Sequence, residues 1–190
     1  MARVYLIRHG RPAAAWGGDD DDPGLDETGA TQARAVAGLL LALPSAQRPR
    51  QVVSSPLRRC RETAAPLAER LGVAPLIEPA VGEIPTPAGL AVPARPAWLR
   101  RAMAGAWGDI EGDLDYEAWR RAVSAAAISR PASAVFTHFV AINAVLSLAA
   151  NDPRVIVSRP DHAAITVLEI GSGGLTVVDR GREVAATGVL

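Results

Sequence analysis

The sequence contains no lysine, and its charges balance. All twenty basic residues are arginine, and twenty acidic residues match them, which gives a formal net charge of zero. A protein that binds nucleic acid or an anionic membrane normally carries a net basic surface. We therefore expect neither nucleic acid nor a membrane as a partner, and any electrostatic recognition must be local.

Cysteine and long apolar runs are also scarce. Cys60 is the only cysteine among 190 residues, which excludes an internal disulfide and a cysteine-rich metal site. No apolar run approaches the ~20 residues of a membrane-spanning helix, and the first residues lack the pattern of a signal peptide. We expect a cytoplasmic location. The heavy use of alanine, glycine and proline without lysine is typical of a GC-rich, bacterial genome.

Short β-branched runs alternate along the chain with longer helical patterns. This alternation predicts an α/β fold in three layers, with helices flanking a mostly parallel central sheet. At 49% apolar content, residues 1–190 can bury the core of a single domain. The predicted strands are Val4–Arg8, Gln51–Ser54, Ala134–Thr137 and Ile165–Ile170, with weaker ones at Pro75–Glu78, Val155–Val157 and Leu175–Val178.

Three stretches repeat apolar residues at helical spacing, and we interpret them as core-facing helices. They comprise Val36, Leu39, Leu40 and Leu43, then Leu57, Cys60, Ala64, Leu67 and Leu71, and finally Tyr116, Trp119 and Val123. By contrast, the segment at about 80–115 begins with a proline- and alanine-rich stretch that fits neither period. It predicts an irregular insertion over one end of the sheet.

Two of the three histidines stand where predicted strands stop. His9 follows the first strand in "LIRHG", and His138 follows a later strand in "VFTHF". Ligands of parallel sheets bind outside the carboxyl ends of the strands. Between them, "SSPLRRCRETA" offers Ser55 as a helix N-cap and Pro56 as the first helical residue. A helix start with nearby arginines favours a phosphate.

Four motifs in this order resemble those of the histidine phosphatase superfamily, which includes the cofactor-dependent phosphoglycerate mutases and many small-molecule phosphatases. They are "LIRHG", "LDETGATQA", "SSPLRRCRETA" and "THF", and together they extend over almost the whole chain. Asp26 stands where the family pattern has threonine. The resemblance implies a phosphoglycerate mutase-like fold with a phosphate pocket.

The resemblance also implies roles for individual residues. His9 would be the nucleophile that forms a phosphohistidine, and Glu83 in "VGEIPTP" would be the proton donor. Arg8, Arg59 and His138 would bind the phosphoryl group, and His138 would also take part in catalysis. Asp109, Glu111 and Glu78 are lesser candidates for the proton donor.

The family spacing S-x-L-x-R distinguishes the two adjacent arginines of "LRRC". It selects Arg59 for the phosphate pocket and leaves Arg58 at a variable position. Because Glu62 lies four residues further along the same predicted helix, we expect Arg58 to pair with Glu62 at the surface.

Several positions depart from the family pattern. Phe139 replaces the usual glycine after His138, Asn143 replaces a common arginine, and Ala15 replaces an asparagine. We expect fewer phosphate contacts, and we expect Phe139 to keep helical torsions and direct its ring into or beneath the pocket. Candidate substrate or rim residues are Arg11, Phe139, Asn143 and His162.

These assignments imply a metal-independent phosphomonoesterase that needs no cofactor and acts on a small organic phosphate through a phosphohistidine. Two alternatives stay open, namely a phosphoglycerate mutase-like phosphotransferase and a non-catalytic phospholigand-binding protein. Trp98, Trp107 and Ile84 of the insertion favour a substrate with an apolar or aromatic part. The sequence leaves open whether the protein is a monomer or a homodimer.

Overall fold

The computed structural model describes residues 2–14, 20, 22–172 and 174–184. Its centre is a six-stranded sheet in the order β3-β2-β4-β1-β5-β6. The first four strands pair in parallel, whereas β5 runs antiparallel to β1 and β6 runs antiparallel to β5. The strands are β1 (Ala2–Arg8), β2 (Gln51–Ser54), β3 (Leu76–Ile77), β4 (Ser133–Thr137), β5 (Ile165–Gly171) and β6 (Gly174–Asp179).

Helices connect and cover the strands. They are α1 (Glu27–Ala42), α2 (Arg58–Leu71), α3 (Arg95–Ala104), α4 (Tyr116–Ile128) and α5 (Phe139–Ala149), with 3₁₀ turns at Pro79–Val81, Val92–Ala94 and Trp107–Asp109. Within the described residues, none of the helices has both the length and the apolar character needed to span a membrane.

The alternation of side chains along β1 produces two cores, one on each face of the sheet. Val4 and Leu6 pack into a cluster with residues of α3, α4 and α5. Tyr5 and Ile7 point to the opposite face and pack with residues of α1 and α2. Successive residues of a strand point to opposite faces, so a strand with four buried residues in a row belongs to a sheet covered on both sides. The predicted three-layer α/β fold is confirmed.

Most predicted strands are confirmed, but Val155–Val157 is not a strand. This segment lies between two prolines, and the backbone N–H groups of Val157 and Ser158 both donate to Oδ1 of Asn143, at 2.9 Å each. The Asn143 side chain therefore accepts the backbone hydrogen bonds that a neighbouring strand would accept in a sheet. The helical stripe of α1 also contains one error, because Leu39 is 63% exposed.

The direction of β5 decides which residues meet at the site. Because β1, β2 and β4 are parallel, their carboxyl ends lie at one edge of the sheet. Since β5 is antiparallel, its amino end lies at that same edge, where Ile165 is paired with Ile7. Residues just before β5 therefore lie beside residues just after β1. If β5 were parallel to β1, they would lie at the opposite edge of the sheet.

The segment at 80–115 is more regular than its sequence predicts. It contains α3, whose first turn holds Pro96, a residue tolerated at a helix start because its missing N–H would have no partner there. The tryptophans of this segment face inward: Trp98 is 3% exposed and Trp107 is 1% exposed. Trp107 donates from Nε1 to Oγ of Ser147 in α5 at 3.0 Å. These rings belong to the core.

Candidate active site

His9 directly follows β1 and is held by its own backbone. Its N–H donates to the carbonyl of Thr137 in the neighbouring strand at 3.0 Å. Its Nδ1 lies 2.8 Å from the carbonyl oxygen of Gly10. A carbonyl can only accept, so this hydrogen bond places the ring proton on Nδ1 and leaves the lone pair on Nε2. Nε2 is therefore the ring nitrogen whose lone pair is available to a ligand.

Two glycines allow the chain after His9 to pack against α1. A Cβ on Gly10 would lie 2.8 Å from the carbonyl oxygen of Gly29, and a Cβ on Gly29 would collide with the carbonyl oxygen of Arg11. The N–H of Gly10 donates to Oγ1 of Thr63 in α2 at 2.9 Å. The glycines of "RHG" and "ETGA" therefore let backbone meet backbone beside the nucleophile.

The two arginines of "LRRC" face different environments. Arg58 donates from Nε to Glu62 at 2.7 Å and its side chain is 58% exposed, so the predicted surface pair is confirmed. The side chain of Arg59 is 6% exposed, and its Nη2 lies 3.2 Å from Nδ1 of His138. Adjacent helical residues point about 100° apart, so only Arg59 reaches the site.

The prediction that Ser55 caps this helix is wrong. Helix α2 begins at Arg58, its N-cap position is Leu57, and Leu57 provides no side-chain cap. The first-turn N–H of Arg58 donates instead to Oδ1 of Asp22 at 2.7 Å, a distant carboxylate that does the work of a cap. Among the described backbone N–H groups, Oγ of Ser55 accepts only from that of Leu57, at 3.3 Å, one residue before the helix begins.

His138 follows β4 and lies beside His9, with 5.4 Å between the ring centroids. Its side chain is fully buried. On one side, Nε2 lies 2.8 Å from Oγ of Ser55 and 3.4 Å from Sγ of Cys60. On the other side, Nδ1 faces Arg59. The ring is therefore fixed at both nitrogens.

Glu83 supplies a carboxylate to the same cluster. It follows the Pro79–Val81 turn, which Thr137 anchors by donating from Oγ1 to the carbonyl of Val81 at 2.6 Å. Its Oε2 lies 3.5 Å from Nδ1 of His138 and 3.7 Å from Nη2 of Arg59. Among the described residues, Glu83 is the predicted proton donor that the fold brings to the histidines. Glu78 instead accepts from the N–H of Ala80 at the start of the turn.

Arg8 completes the cluster from beneath. Its Nη1 donates to the carbonyl of Pro160 at 3.0 Å, and its guanidinium carbon lies 5.1 Å from the centroid of the Phe139 ring. Its buried Nε has no hydrogen-bond partner among the described residues. Burial lowers the pKa of Arg8 to about 10, and the group stays charged at neutral pH. A buried, charged and incompletely bonded guanidinium favours an anionic ligand.

The imidazoles are neutral in this setting. Burial, reinforced by the charge of Arg59, lowers the pKa of His9 and of His138 well below 6.5. A neutral His9 keeps its lone pair at physiological pH, as a nucleophile requires.

Burial has the opposite effect on the pKa of the Glu83 carboxyl. It raises the pKa of Glu83 above 4.5, partly offset by Arg59 and by the N–H of Ile84. A raised pKa suits a carboxyl that alternates between giving and taking a proton. The cluster thus combines two neutral imidazoles, two guanidinium groups and a carboxyl with a raised pKa.

Comparison with known proteins identifies the family of the chain. The profile of the histidine phosphatase superfamily (branch 1) matches residues 4–182. The chain belongs to this superfamily.

Solved structures of phosphatases share the fold over nearly their full lengths. A mycobacterial glucosyl-3-phosphoglycerate phosphatase superposes with a TM-score of 0.72 at 23% identity, covering 96% of this chain and 99% of that one. A phosphoserine phosphatase from Entamoeba histolytica gives a TM-score of 0.73 at 17% identity and covers 96% and 98%. A putative alpha-ribazole-5'-P phosphatase from Escherichia coli gives 0.69 at 16%, covering 95% and 96%. At these identities the likeness extends to the fold alone.

A curated relative has a different description. The transcription factor tau 55 kDa subunit of Saccharomyces cerevisiae is 34% identical over an alignment 105 residues long, and the match covers 45% of this chain. The chain spans about a quarter (23%) of that protein's length. The match is a partial one, to a much longer protein.

The departures from the family pattern have distinct structural outcomes. Phe139 is the first residue of α5, so it has helical torsions as expected, and its ring lies under the Arg8 guanidinium. Asn143 is fully buried and donates from Nδ2 to the carbonyl of Phe139 at 3.0 Å, while its Oδ1 holds the 157–158 backbone. The structure therefore does not bring Asn143 to the rim. Ala15 lies outside the described residues.

The structure brings His162 close to His9 but places Arg11 at the surface. The His162 ring centroid is 5.8 Å from that of His9, and burial together with Arg8 lowers the pKa of His162 to about 4. The next residue, Ala163, has a left-handed φ of 57° and donates its N–H to the carbonyls of Arg8 and His9 at 3.1 and 3.2 Å. Arg11 is exposed and bonded to Asp26 and Thr28.

Sequence reasoning missed three supports of the site. Ser55 and Thr63 both lie within "SSPLRRCRETA", so the motif that selected Arg59 also contained them, but their targets are distant in sequence. The third support is the Pro160 carbonyl that holds Arg8. A backbone carbonyl has no side-chain signature, and only the antiparallel direction of β5 brings it to the site.

Proposed function

We propose that this chain hydrolyses a small organic phosphomonoester through a phosphohistidine formed at His9, without a metal ion. The observation that carries the proposal is the hydrogen bond from Nδ1 of His9 to Gly10, which leaves Nε2 to attack beside Arg59 and His138. Phosphatase relatives of similar fold support it.

In the first step, Nε2 of His9 attacks phosphorus in line with the leaving oxygen. The P–O bond breaks, a P–N bond forms, and Glu83 gives its proton to the leaving alkoxide. Arg8 and Arg59 stabilise the charge on the equatorial oxygens, a task that many enzymes assign to a metal ion. In the second step water attacks the phosphohistidine, Glu83 takes the proton, and inorganic phosphate leaves with the P–N electrons returned to His9.

The test is hydrolysis of an aryl phosphate by the purified protein, with and without a strong chelator. We expect release of phosphate at a rate that the chelator leaves unchanged. Activity that disappears with chelator and returns with magnesium or zinc would contradict the metal-free mechanism. Transfer of phosphate to a second hydroxyl of the same metabolite, in place of release, would favour the mutase alternative.

A second candidate function is binding of a phosphorylated ligand without turnover. It is favoured by the curated relative, which is named as a transcription factor subunit, and by Phe139 at the glycine position of the family. Saturable binding of inorganic phosphate together with undetectable hydrolysis of every phosphate ester in a broad panel would establish it.

A further inference from the structure

Ser55 occupies a position that the phosphate chemistry leaves unexplained. It follows β2 and is fully buried, and its backbone N–H donates to the carbonyl of Phe136 at 3.0 Å. Because β2 and β4 are parallel neighbours, the residue after β2 meets the residues after β4. Its Oγ consequently lies 2.8 Å from Nε2 of His138, on the side of the ring away from Arg59.

In a neutral imidazole one nitrogen donates a hydrogen bond and the other accepts one. The neighbours of His138 determine which of its nitrogens carries the proton. A phosphoryl oxygen can only accept a hydrogen bond, so a neutral His138 can bind it only with the proton on Nδ1, the nitrogen that faces Arg59 and Glu83. Nε2 must then accept. Among the described residues, the neighbours able to donate to it are the hydroxyl of Ser55 and the thiol of Cys60, which is a weak donor at 3.4 Å.

The hydroxyl of Ser55 is oriented for this role. The N–H of Leu57 donates to its Oγ at 3.3 Å and uses one of its acceptor positions, leaving the hydroxyl proton to point elsewhere. When Arg59 donates to Nδ1 instead, as the 3.2 Å distance allows, the proton must sit on Nε2 and Ser55 must accept it. A hydroxyl can both donate and accept, so Ser55 can satisfy either tautomer without a buried charge.

We propose that Ser55 is a positioning residue that sets the tautomer of His138, donating to Nε2 so that Nδ1 offers its proton to a bound phosphoryl group. The inference rests on the proposed function insofar as the ligand is a phosphoryl group. It does not require that the protein turn substrate over.

The experiment follows the histidine nitrogens by NMR in protein labelled with ¹⁵N-histidine, titrated with inorganic phosphate. The chain contains three histidines, so the spectrum is simple. In the wild type we expect phosphate to move the His138 proton from Nε2 to Nδ1. In Ser55→Ala we expect this conversion to fail and phosphate to bind about tenfold more weakly, the loss of roughly one hydrogen bond. Ser55→Thr, which keeps the hydroxyl, should restore both.

The matched control is Ser54→Ala. Ser54 is equally buried, but its Oγ donates to a backbone carbonyl, that of Ser55, at 2.8 Å. Its loss should leave the His138 tautomer unchanged. Should Ser55→Ala not fold, Ser55→Cys keeps nearly the same volume with a weaker donor and should convert only in part.

A folded Ser55→Ala or Ser55→Cys protein that converts fully with phosphate would overturn the inference. Turnover of an aryl phosphate by the wild type separates this failure from failure of the proposed function. Turnover with no effect of Ser55 on the tautomer refutes the positioning role alone. The expected tautomer change without turnover refutes the phosphatase assignment alone.

Discussion

Two regions of the molecule differ in where their functional or bulky side chains lie. One is the cluster around His9 and His138, and the other is the segment at 80–115. Glu83 belongs to both. In the cluster, the two histidines and the two arginines lie at the end of a strand or at the start of α2. In the segment, both tryptophans are buried and pack against α4 or α5. The ring of Trp98 lies 5.8 Å from that of Tyr116 between centroids. The ends of the strands determine where the side chains of the cluster lie, whereas packing into the core determines where the tryptophans of the segment lie.

This difference changes the expectation about substrate. Trp98, Trp107 and Ile84 favoured an apolar or aromatic substrate only if they faced the pocket, yet all three are buried in the core. They therefore give no basis for that preference. His162 and Arg11 stay the predicted rim residues, and the ring centroid of His162 lies 5.8 Å from that of His9.

Glu83→Gln changes a residue that belongs to both regions, and we expect it to lower the turnover rate strongly. Without a group to protonate the leaving oxygen, turnover of an alkyl phosphate should fall by about 10²–10⁴-fold. The loss should be much smaller with an aryl phosphate, whose leaving group needs little protonation. Steady-state rates on both substrates provide the measurement, with exposed Glu111→Gln as the control. Equal losses on the two substrates would argue against general acid catalysis by Glu83.

Trp107→Ala should damage the segment without damaging the chemistry. Removing a ring that is 1% exposed should lower the free energy of unfolding by about 3–5 kcal/mol, while the rate per folded molecule stays near that of the wild type. Urea unfolding and an active-site titration separate the two effects. Leu114→Ala, at a side chain 43% exposed in the same segment, should change little. A large fall in the rate per folded molecule would show that Trp107 shapes the site.

Arg59→Ala should lower the catalytic efficiency strongly, whereas Arg58→Ala should leave it nearly unchanged. Loss of the buried Arg59 removes a charge-assisted contact to the phosphoryl group and should reduce kcat/KM on the order of a hundredfold. Loss of Arg58 removes a surface pair with Glu62, worth only a few tenths of a kcal/mol of stability. We would compare kcat/KM of both variants on one substrate, with folding checked by circular dichroism. Equal losses would mean that both guanidinium groups act in the site.

The neutral histidines should make the protein less stable in mild acid. Because the folded-state pKa values of His9 and His138 are well below 6.5, the unfolded chain takes up more protons as the pH falls below 6.5. The free energy of unfolding should then decline by up to about 1.4 kcal/mol per pH unit for each histidine, with the raised pKa of Glu83 opposing part of the loss. Urea unfolding from pH 7.5 to pH 5 measures the slope. His138→Asn should make it shallower, and an unchanged slope would contradict a neutral, buried His138.

Local patterns sufficed for much of the fold, whereas the members of the cluster came from the family resemblance. Strand β2 was predicted with its observed bounds because strand alternation is encoded in adjacent residues. Arg59 was separated from Arg58 by the family spacing S-x-L-x-R. The roles assigned to the cluster stay predictions until tested. Three features escaped prediction because they depend on contacts between distant segments: the antiparallel β5 that brings His162 to His9, the Asp22 cap of α2, and the Asn143 amide that replaces a strand at 155–157.

The most direct test of the account is the chemical form of the phosphorylated protein. Mixing the protein with radiolabelled phosphate ester and quenching in alkali should leave label on the peptide that contains His9, because a nitrogen-bound phosphoryl group survives base and is lost in acid. His9→Ala should carry no label and show no turnover above background. Label that resists acid, or near-normal turnover by His9→Ala, would contradict the assignment of His9 as the nucleophile.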